Sequence, residues 1–209
     1  MRPRSGKASK GTRTKAKQHK HRERNHRERK EFLKQLRQIV QQQGSRNLIY
    51  VDECGFDNRV YQDYGYAKRG KKIYGSRTGK QTPRENLIAA RRGRELLSPM
   101  LIQGSVNGVG SEKWLEQWLM VGLQQNSTLI LDKGLARMCA PIHRKNGITE
   151  IVEAKGHQVL FLPRYSSDFN SIEHNFAAIK KRRKYDPEGT SVAQIVKNYS
   201  EKDIFSILI

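Results

Sequence analysis

Apolar residues along this chain of 209 residues recur first at helical spacing and then at strand spacing. From Arg22 to Gln43, Phe32, Leu33, Leu36, Ile39 and Val40 fall on one side of a 3.6-residue repeat. Basic and amide side chains fill the other side, so the pattern predicts an amphipathic helix closed by Gly44. Leu48 to Val51 is too short for a core helix and rich in strand formers, which predicts a buried strand ending at Asp52 with the helix beside it. Two further strands are expected over Asn86–Ala90 and Leu96–Val106, joined by the turn-like Arg91-Arg92-Gly93-Arg94. Three strands in succession predict an antiparallel meander. A helix over Ser111–Gln125 then places Trp114, Leu115, Trp118, Leu119 and Gly122 on one face, with both tryptophans in the core.

The second half alternates. A strand over Thr128–Leu131 precedes a helix around Ile148–Ala154, and a strand over Val159–Leu162 precedes a helix over Ser171–Lys184. Such alternation predicts parallel pairing with crossover helices. Asp186-Pro187-Glu188-Gly189 breaks the last helix, and the segment through Ile209 reads as a weak helix. The expected fold class is α/β: a ribonuclease-H-like mixed sheet, three antiparallel strands followed by two strand–helix units, flanked by helices. It would occupy residues 22–185, between a basic tail (1–21) and a C-terminal extension (186–209).

Charge adds a partner to this picture. Lys and Arg number 41 against 20 Asp and Glu, a formal charge of +21 with pI ≈ 10.2, which points to a polyanion and to DNA or RNA first. Thirteen of the cations lie in residues 1–30, where almost nothing apolar could join a core; residues 1 to about 20 should be disordered alone yet able to neutralise phosphates. No apolar run is long enough for a membrane span and no secretory signal is present, so a cytoplasmic protein is expected. Cys54 and Cys139 read as free thiols. Within the Tyr-, Gly- and Lys-rich loop from Tyr61 to Gly79, Tyr64, Tyr66, Arg69, Lys71 and Lys72 are candidate DNA contacts, with a plain solvated loop as the alternative. The basic run Lys180, Lys181, Arg182, Arg183 and Lys184 suits both the helix dipole and the DNA backbone.

Three acids carry the candidate chemistry. Asp52 and Asp132 each end an apolar strand, where ligands of open sheets gather, and Glu173 opens the last predicted core helix. Each alone has a plain explanation: the two aspartates terminate strands, and Asn170-Ser-Ile-Glu173 reads as a helix cap with its acid. Together they offer the hard oxygen ligands that Mg²⁺ takes, and a pair of such ions suits in-line displacement at a phosphodiester.

The sequence around these acids resembles a known family. LFLPRYSSDFNSIEHNFAAIKK at 160–181 is similar to the L-P-x-Y-S-P-x-L-N-P-I-E-x-x-W-x-x-L-K segment of bacterial insertion-sequence transposases in the mariner superfamily, which carry an Asp-Asp-Glu triad. YVDECGFDNRVYQDYGYAKRGKKIYG at 50–75 resembles the family's first-aspartate block, Asp-Glu-Ser-Gly-Phe followed by Tyr-Gly-Tyr and a basic Lys-x-Gly. The likeness covers roughly residues 27–184. It implies a DNA transposase with Asp52, Asp132 and Glu173 as catalytic metal ligands for two Mg²⁺ or Mn²⁺ ions, and with His143 and Asn170 in support, a plain loop histidine being the alternative for His143. The implied partners are transposon-end and target DNA, the target being a TA dinucleotide, and a second copy in a dimeric synaptic complex.

The middle block departs from the family's Asp-Asn-Ala-x-x-His-Arg/Lys. Here KGLARMC follows Asp132 where one Asn is expected, a net gain of six residues before Ala140 and His143. Without those six, the 40 residues between Asp132 and Glu173 shorten to the family's 34. Ser167 and Ser171 also replace two prolines, and Phe176 a tryptophan, while Asn170 is still expected to cap the helix. Nothing before Asp52 is long or apolar enough for the family's helix-turn-helix region, so the chain reads as the catalytic half. Three functions follow: an active transposase, a DNA-binding remnant whose second acid is displaced by the insertion, or a basic RNA-binding protein.

Overall fold

The computed structural model describes residues 23–56, 70–72, 84–104, 108–124, 126–138, 147–187 and 189–205. The first helix, α1 (His26–Gln43), starts four residues later than the apolar pattern predicts, because Asn25 caps it. The Asn25 side chain accepts the Arg27 and Glu28 amides at 3.0 and 3.3 Å, and its own amide donates to Glu28 Oε1 at 3.0 Å. Gly44, at φ 78°, closes the helix through a bond to the Val40 carbonyl, as its sequence predicts.

The sheet contains β1 (Leu48–Phe56), β2 (Glu85–Arg92), β3 (Glu95–Gln103), β4 (Thr128–Leu131) and β5 (Gln158–Phe161) in the order β3-β2-β1-β4-β5. β1, β2 and β3 form the expected antiparallel meander, and β4 and β5 add in parallel beside β1. Two strand limits differ from expectation. β1 does not stop at Asp52 but continues to Phe56, paired with β2 throughout, so Asp52 stands opposite Ala89 within a ladder. Its parallel pairing with β4, however, ends at Tyr50 opposite Ile130, which leaves the far edge of β1 open from Val51 onward. β3 ends at Gln103, and the remainder of its predicted run lies outside the described residues.

A bulge bends the edge strand near the future site. Ser98 and Pro99 stand opposite the single residue Ala89, Pro99 has no N–H to give the ladder, and Ser98 takes φ 45°. The indole of Trp114 stabilises this by donating to the Ser98 carbonyl at 2.7 Å. Trp114→Phe keeps an aromatic ring in the core but leaves that carbonyl unpaired. Its unfolding free energy should fall by about 1–2 kcal/mol, read as a lower urea midpoint at unchanged slope; an unchanged midpoint would remove the indole from this role.

Helices cover both faces. On one, Ile49, Val51, Ile88, Ala90, Leu129 and Leu131 pack under α2 (Gly108–Trp114) and its continuation, α3 (Lys133–Met138) and α4 (Gly147–Ala154). On the other, Cys54, Phe56, Leu87 and Ala89 meet α5 (Glu173–Tyr185) and α6 (Val192–Phe205), while α1 lays Phe32 against Leu48, Ile130, Leu160 and Leu162. α6 is therefore seated in a core through Val192, Ile195 and Val196.

The expected helix over Ser111–Gln125 is also corrected. α2 passes into a π turn (Leu115–Leu119) and a 3₁₀ turn (Met120–Gly122). A π turn takes one more residue per revolution, so the buried stripe runs Ser111, Trp114, Leu115, Leu119, Met120 in place of the α-helical stripe through Trp118 and Gly122. Trp114 is 1% exposed, as expected, whereas Trp118 is 58% exposed.

Candidate active site

The end of parallel pairing between β1 and β4 opens a crevice at the carboxyl ends of the two central parallel strands, the position where ligands bind such sheets. An open cleft of about 450 Å³ lies there, lined by Asp52, Glu53, Gly55, Arg84, Asp132, Gly134, Leu135, Leu162, Ser166, Ser167, Asn170 and Glu173. Asp52, Asp132, Glu173 and Asn170, separated by up to 121 positions in the chain, thus share one cleft.

Asp52 is the most constrained of the acids. Its Oδ1 accepts the Glu53 amide at 2.8 Å and its Oδ2 accepts from Asn170 Nδ2 at 3.0 Å. Burial pushes its pKa from 3.8 up to about 7; the Glu53 N–H opposes this, and the nearby carboxylates of Glu173, Asp132 and Glu53 reinforce it. Burial likewise raises the Glu53 carboxyl, against the pull of Arg84. The cleft therefore surrounds Asp52 with acids that disfavour its ionisation.

Asp132 follows β4 directly, and its Oδ1 accepts the backbone N–H of Gly134. The extra residues after Asp132 thus fold as α3, whose first turn engages the second acid and whose Leu135 is buried in the core. Glu173 is the first residue of α5 and is exposed at the cleft. The expected cap at Asn170 is not formed: α5 has no side-chain cap, because the Asn170 carboxamide turns to Asp52. The backbone alone starts this helix, through bonds such as Glu173 N–H to the Asn170 carbonyl at 3.2 Å.

Two clamps fix the loop that carries Asn170 and Glu173. Arg91 of β2 donates to the Ser171 carbonyl at 2.6 Å and to Asn175 Oδ1 at 2.7 Å. From α1, Arg29 donates to both Asp168 oxygens and to Ser166 Oγ; Arg24, just before α1, donates to Asp168 and to the Tyr165 carbonyl; and Phe169 stacks with Phe32 and carries the Arg29 guanidinium over its ring. Hydrogen bonding and charge from Arg29 hold the Asp168 carboxyl below its usual range. α1 is thus part of the support of the site.

His143, Tyr64, Tyr66 and Arg69 lie outside the described residues, and Lys71 and Lys72 are exposed. In the basic run, the Lys180 ammonium faces the Cys54 thiol, Arg182 lies over Tyr199 at 5.3 Å and Arg183 over Phe56 at 5.6 Å, while Lys181 is exposed. Glu53, Arg84 and Ser166 escaped the sequence reading. Glu53 adjoins Asp52, so adjacency was the available signal; Arg84 enters only through the β1–β2 register.

Among the described residues, no group of three His, Cys, Asp or Glu side chains is drawn close enough to hold a metal ion as placed. The donor set nevertheless fits one. The acids offer only hard oxygens, half-buried Asp52 has no ion pair among the described residues, and the buried Asn170 Oδ1 has no hydrogen-bond partner there. A divalent cation would draw on these same atoms.

Fold and cleft define the class: a ribonuclease-H-like fold with carboxylates at its switch point. The chain belongs to the DDE superfamily endonucleases, whose pattern matches residues 47–195, more than half of its length. It is similar to the Mos1 transposase paired-end complex with left transposon end (TM-score 0.65, 16% identity, 92% of this chain and 59% of that one). The Mos1 strand transfer complex gives 0.66, 17%, 92% and 58%, and the catalytic domain of Mos1 mariner transposase 0.56, 15%, 88% and 84%. Mos1 paired-end complexes with Mn and with Mg are similar as well. Identities this low show a shared fold, and the expected ribonuclease-H-like sheet is borne out. The chain spans about three-fifths of the Mos1 chains in the first two complexes. No match is found among curated proteins. Among the described residues, no helix is long and apolar enough to cross a membrane.

Proposed function

We propose that this chain is the catalytic portion of a DNA transposase of the mariner superfamily, encoded by a bacterial insertion sequence. The observation that carries the reading is the meeting of Asp52, Asp132 and Glu173 in one open cleft of a DDE endonuclease fold. Its substrates are transposon-end DNA, cut by hydrolysis, and target DNA at a TA dinucleotide, attacked by the freed 3′ hydroxyl. A dimer assembles the two ends, and the protein works in the cytoplasm.

Asp52, Asp132 and Glu173 would hold two Mg²⁺ or Mn²⁺ ions, which supply activation of the attacking oxygen and stabilisation of the leaving one. The residues themselves have separable tasks. Asn170 fixes the Asp52 carboxylate, the Arg29–Asp168 and Arg91–Ser171 clamps hold Glu173 at the mouth, and His143 serves in support. The basic segments at Lys71, Lys72 and Lys180 to Lys184, together with Tyr64, Tyr66 and Arg69, contact the DNA backbone. The test is nicking of supercoiled plasmid by the purified chain in Mn²⁺. It should be abolished by chelator and reduced at least about 10³-fold by Glu173→Gln; cleavage that survives both changes sinks the reading.

A second reading rests on the α3 contact. With its carboxylate engaged by Gly134, Asp132 is turned to its own helix, so the insertion holds the site in a weakened state. DNA binding would then persist with little cleavage.

A further inference from the structure

Among the described residues, the charged side chains that line the acid cleft are Asp52, Glu53, Asp132, Glu173 and one cation, Arg84. We propose that Arg84 is a phosphate-binding residue of this site, gripping the DNA backbone beside the reacting phosphodiester. The proposal rests on the reading of the cleft as a DNA-cleaving site and assigns a residue that neither the acid triad nor the basic runs include.

Placement comes first. Arg84 sits one residue before β2, and its carbonyl accepts the Gly104 amide at 2.9 Å, so its main chain is pinned to the end of β3. Asn86, which donates its side-chain amide to the Gly104 carbonyl, stands opposite Gly55 in the β1–β2 ladder. From this anchor the Arg84 side chain crosses to β1 and lies on Gly55. A Cβ built on Gly55 would collide with the guanidinium, its Cζ and Nε both at 2.5 Å. Glycine weakens a strand interior and tends to mark close approach by another group. At Gly55 that group is the Arg84 guanidinium, which lies against the strand three residues beyond Asp52.

The guanidinium is also available. Among the described residues no hydrogen bond or ion pair is assigned to it, although its charge acts on Glu53 through space. A polyanion entering a cleft of four carboxylates meets repulsion, and a guanidinium at the wall offers a bidentate, always charged grip on a phosphate. An Arg that served only to offset Glu53 would matter to folding and not to DNA. The two roles therefore separate by experiment.

The test uses the full chain with Arg84→Ala, Arg84→Lys and Gly55→Ala. Binding of a short DNA duplex is followed in Ca²⁺ against salt, and plasmid nicking in Mn²⁺. Arg84→Ala should lower nicking by about 100-fold at an unchanged Mn²⁺ midpoint, and reduce the slope of log affinity against log salt by about one phosphate. Arg84→Lys should restore the slope but leave nicking about tenfold low, because the bidentate geometry is lost. Gly55→Ala should mimic Arg84→Ala, since the new methyl displaces the flexible end of the side chain while the strand accepts Ala. If wild-type protein shows no Mn²⁺-dependent nicking, the cleavage reading fails and the salt slope alone judges Arg84. A wild-type slope in Arg84→Ala, whatever its stability, overturns the proposal.

Discussion

Asp52→Asn should abolish metal-dependent DNA cleavage, by at least about 10³-fold, while making the metal-free protein more stable at pH 8. Both effects have one cause. Burial and three neighbouring acids raise the Asp52 pKa from 3.8 to about 7, so its ionised form is disfavoured in the folded protein. A carboxyl shifted upward gives its stability in full below the unfolded value and loses it as pH rises through the folded one. Wild-type stability should therefore decline between about pH 4 and pH 7. At about 1.4 kcal/mol per pH unit the loss is on the order of 4 kcal/mol at most. The amide variant has no charge to desolvate. Its oxygen can keep the Glu53 N–H, and its NH₂ can meet the partnerless Asn170 Oδ1 once the Asn170 amide rotates. Urea unfolding at pH 5 and pH 8 reads this directly: the wild type should weaken across the window and Asp52→Asn should not. Parallel curves would mean that Asp52 is not the strained acid of the cleft. Added Mn²⁺ should stabilise the wild type alone.

Replacement of residues 133–139 by a single Asn should raise cleavage, by about tenfold or more, at a cost in stability. α3 holds Asp132 through the Gly134 N–H, and removing the helix releases the carboxylate toward Asp52. The same helix contributes buried Leu135 to the core, so its loss should lower the unfolding free energy by about 2–3 kcal/mol. Two point variants separate these effects. Leu135→Ala should destabilise without any gain in activity. Gly134→Pro, which the first helical turn tolerates, removes the donor and sets its ring against the Asp132 carboxylate, whose Oδ1 lies 3.1 Å from the added Cβ; both changes turn the carboxylate away from α3 and should reproduce part of the gain. A replaced loop with no rise in cleavage would show that the Asp132 contact does not limit the protein.

Most of the sheet is legible in the sequence because β2 and β4 are short buried runs bounded by polar residues, and β5 carries the apolar Val159, Leu160 and Phe161. β1 reads short for a physical reason. Beyond Val51 it places Asp52 and Glu53 on its two faces, so these two acids interrupt the apolar pattern while the backbone ladder runs on to Phe56. Trp118 misleads because a π turn leaves no periodic trace until its packing is seen. Asn170 misleads for a related reason: a cap and a ligand to Asp52 require the same residue at the same local position, and only the distant carboxylate decides between them. The three acids themselves are readable from motif and spacing. The α3 contact is not, since six residues carry too little pattern to predict a helix, and neither is Arg84, which reaches the site only through the register of β2 on β1.

The central claim is that Asp52, Asp132 and Glu173 form one divalent-metal site. Anomalous diffraction from a crystal of this protein soaked in Mn²⁺ tests it most directly. Manganese is expected in the β1–β4 cleft, coordinated by Asp52 and Glu173, with Asp132 joining once α3 is replaced. Manganese absent from the cleft at saturating concentration, or bound there without Asp52, would contradict it.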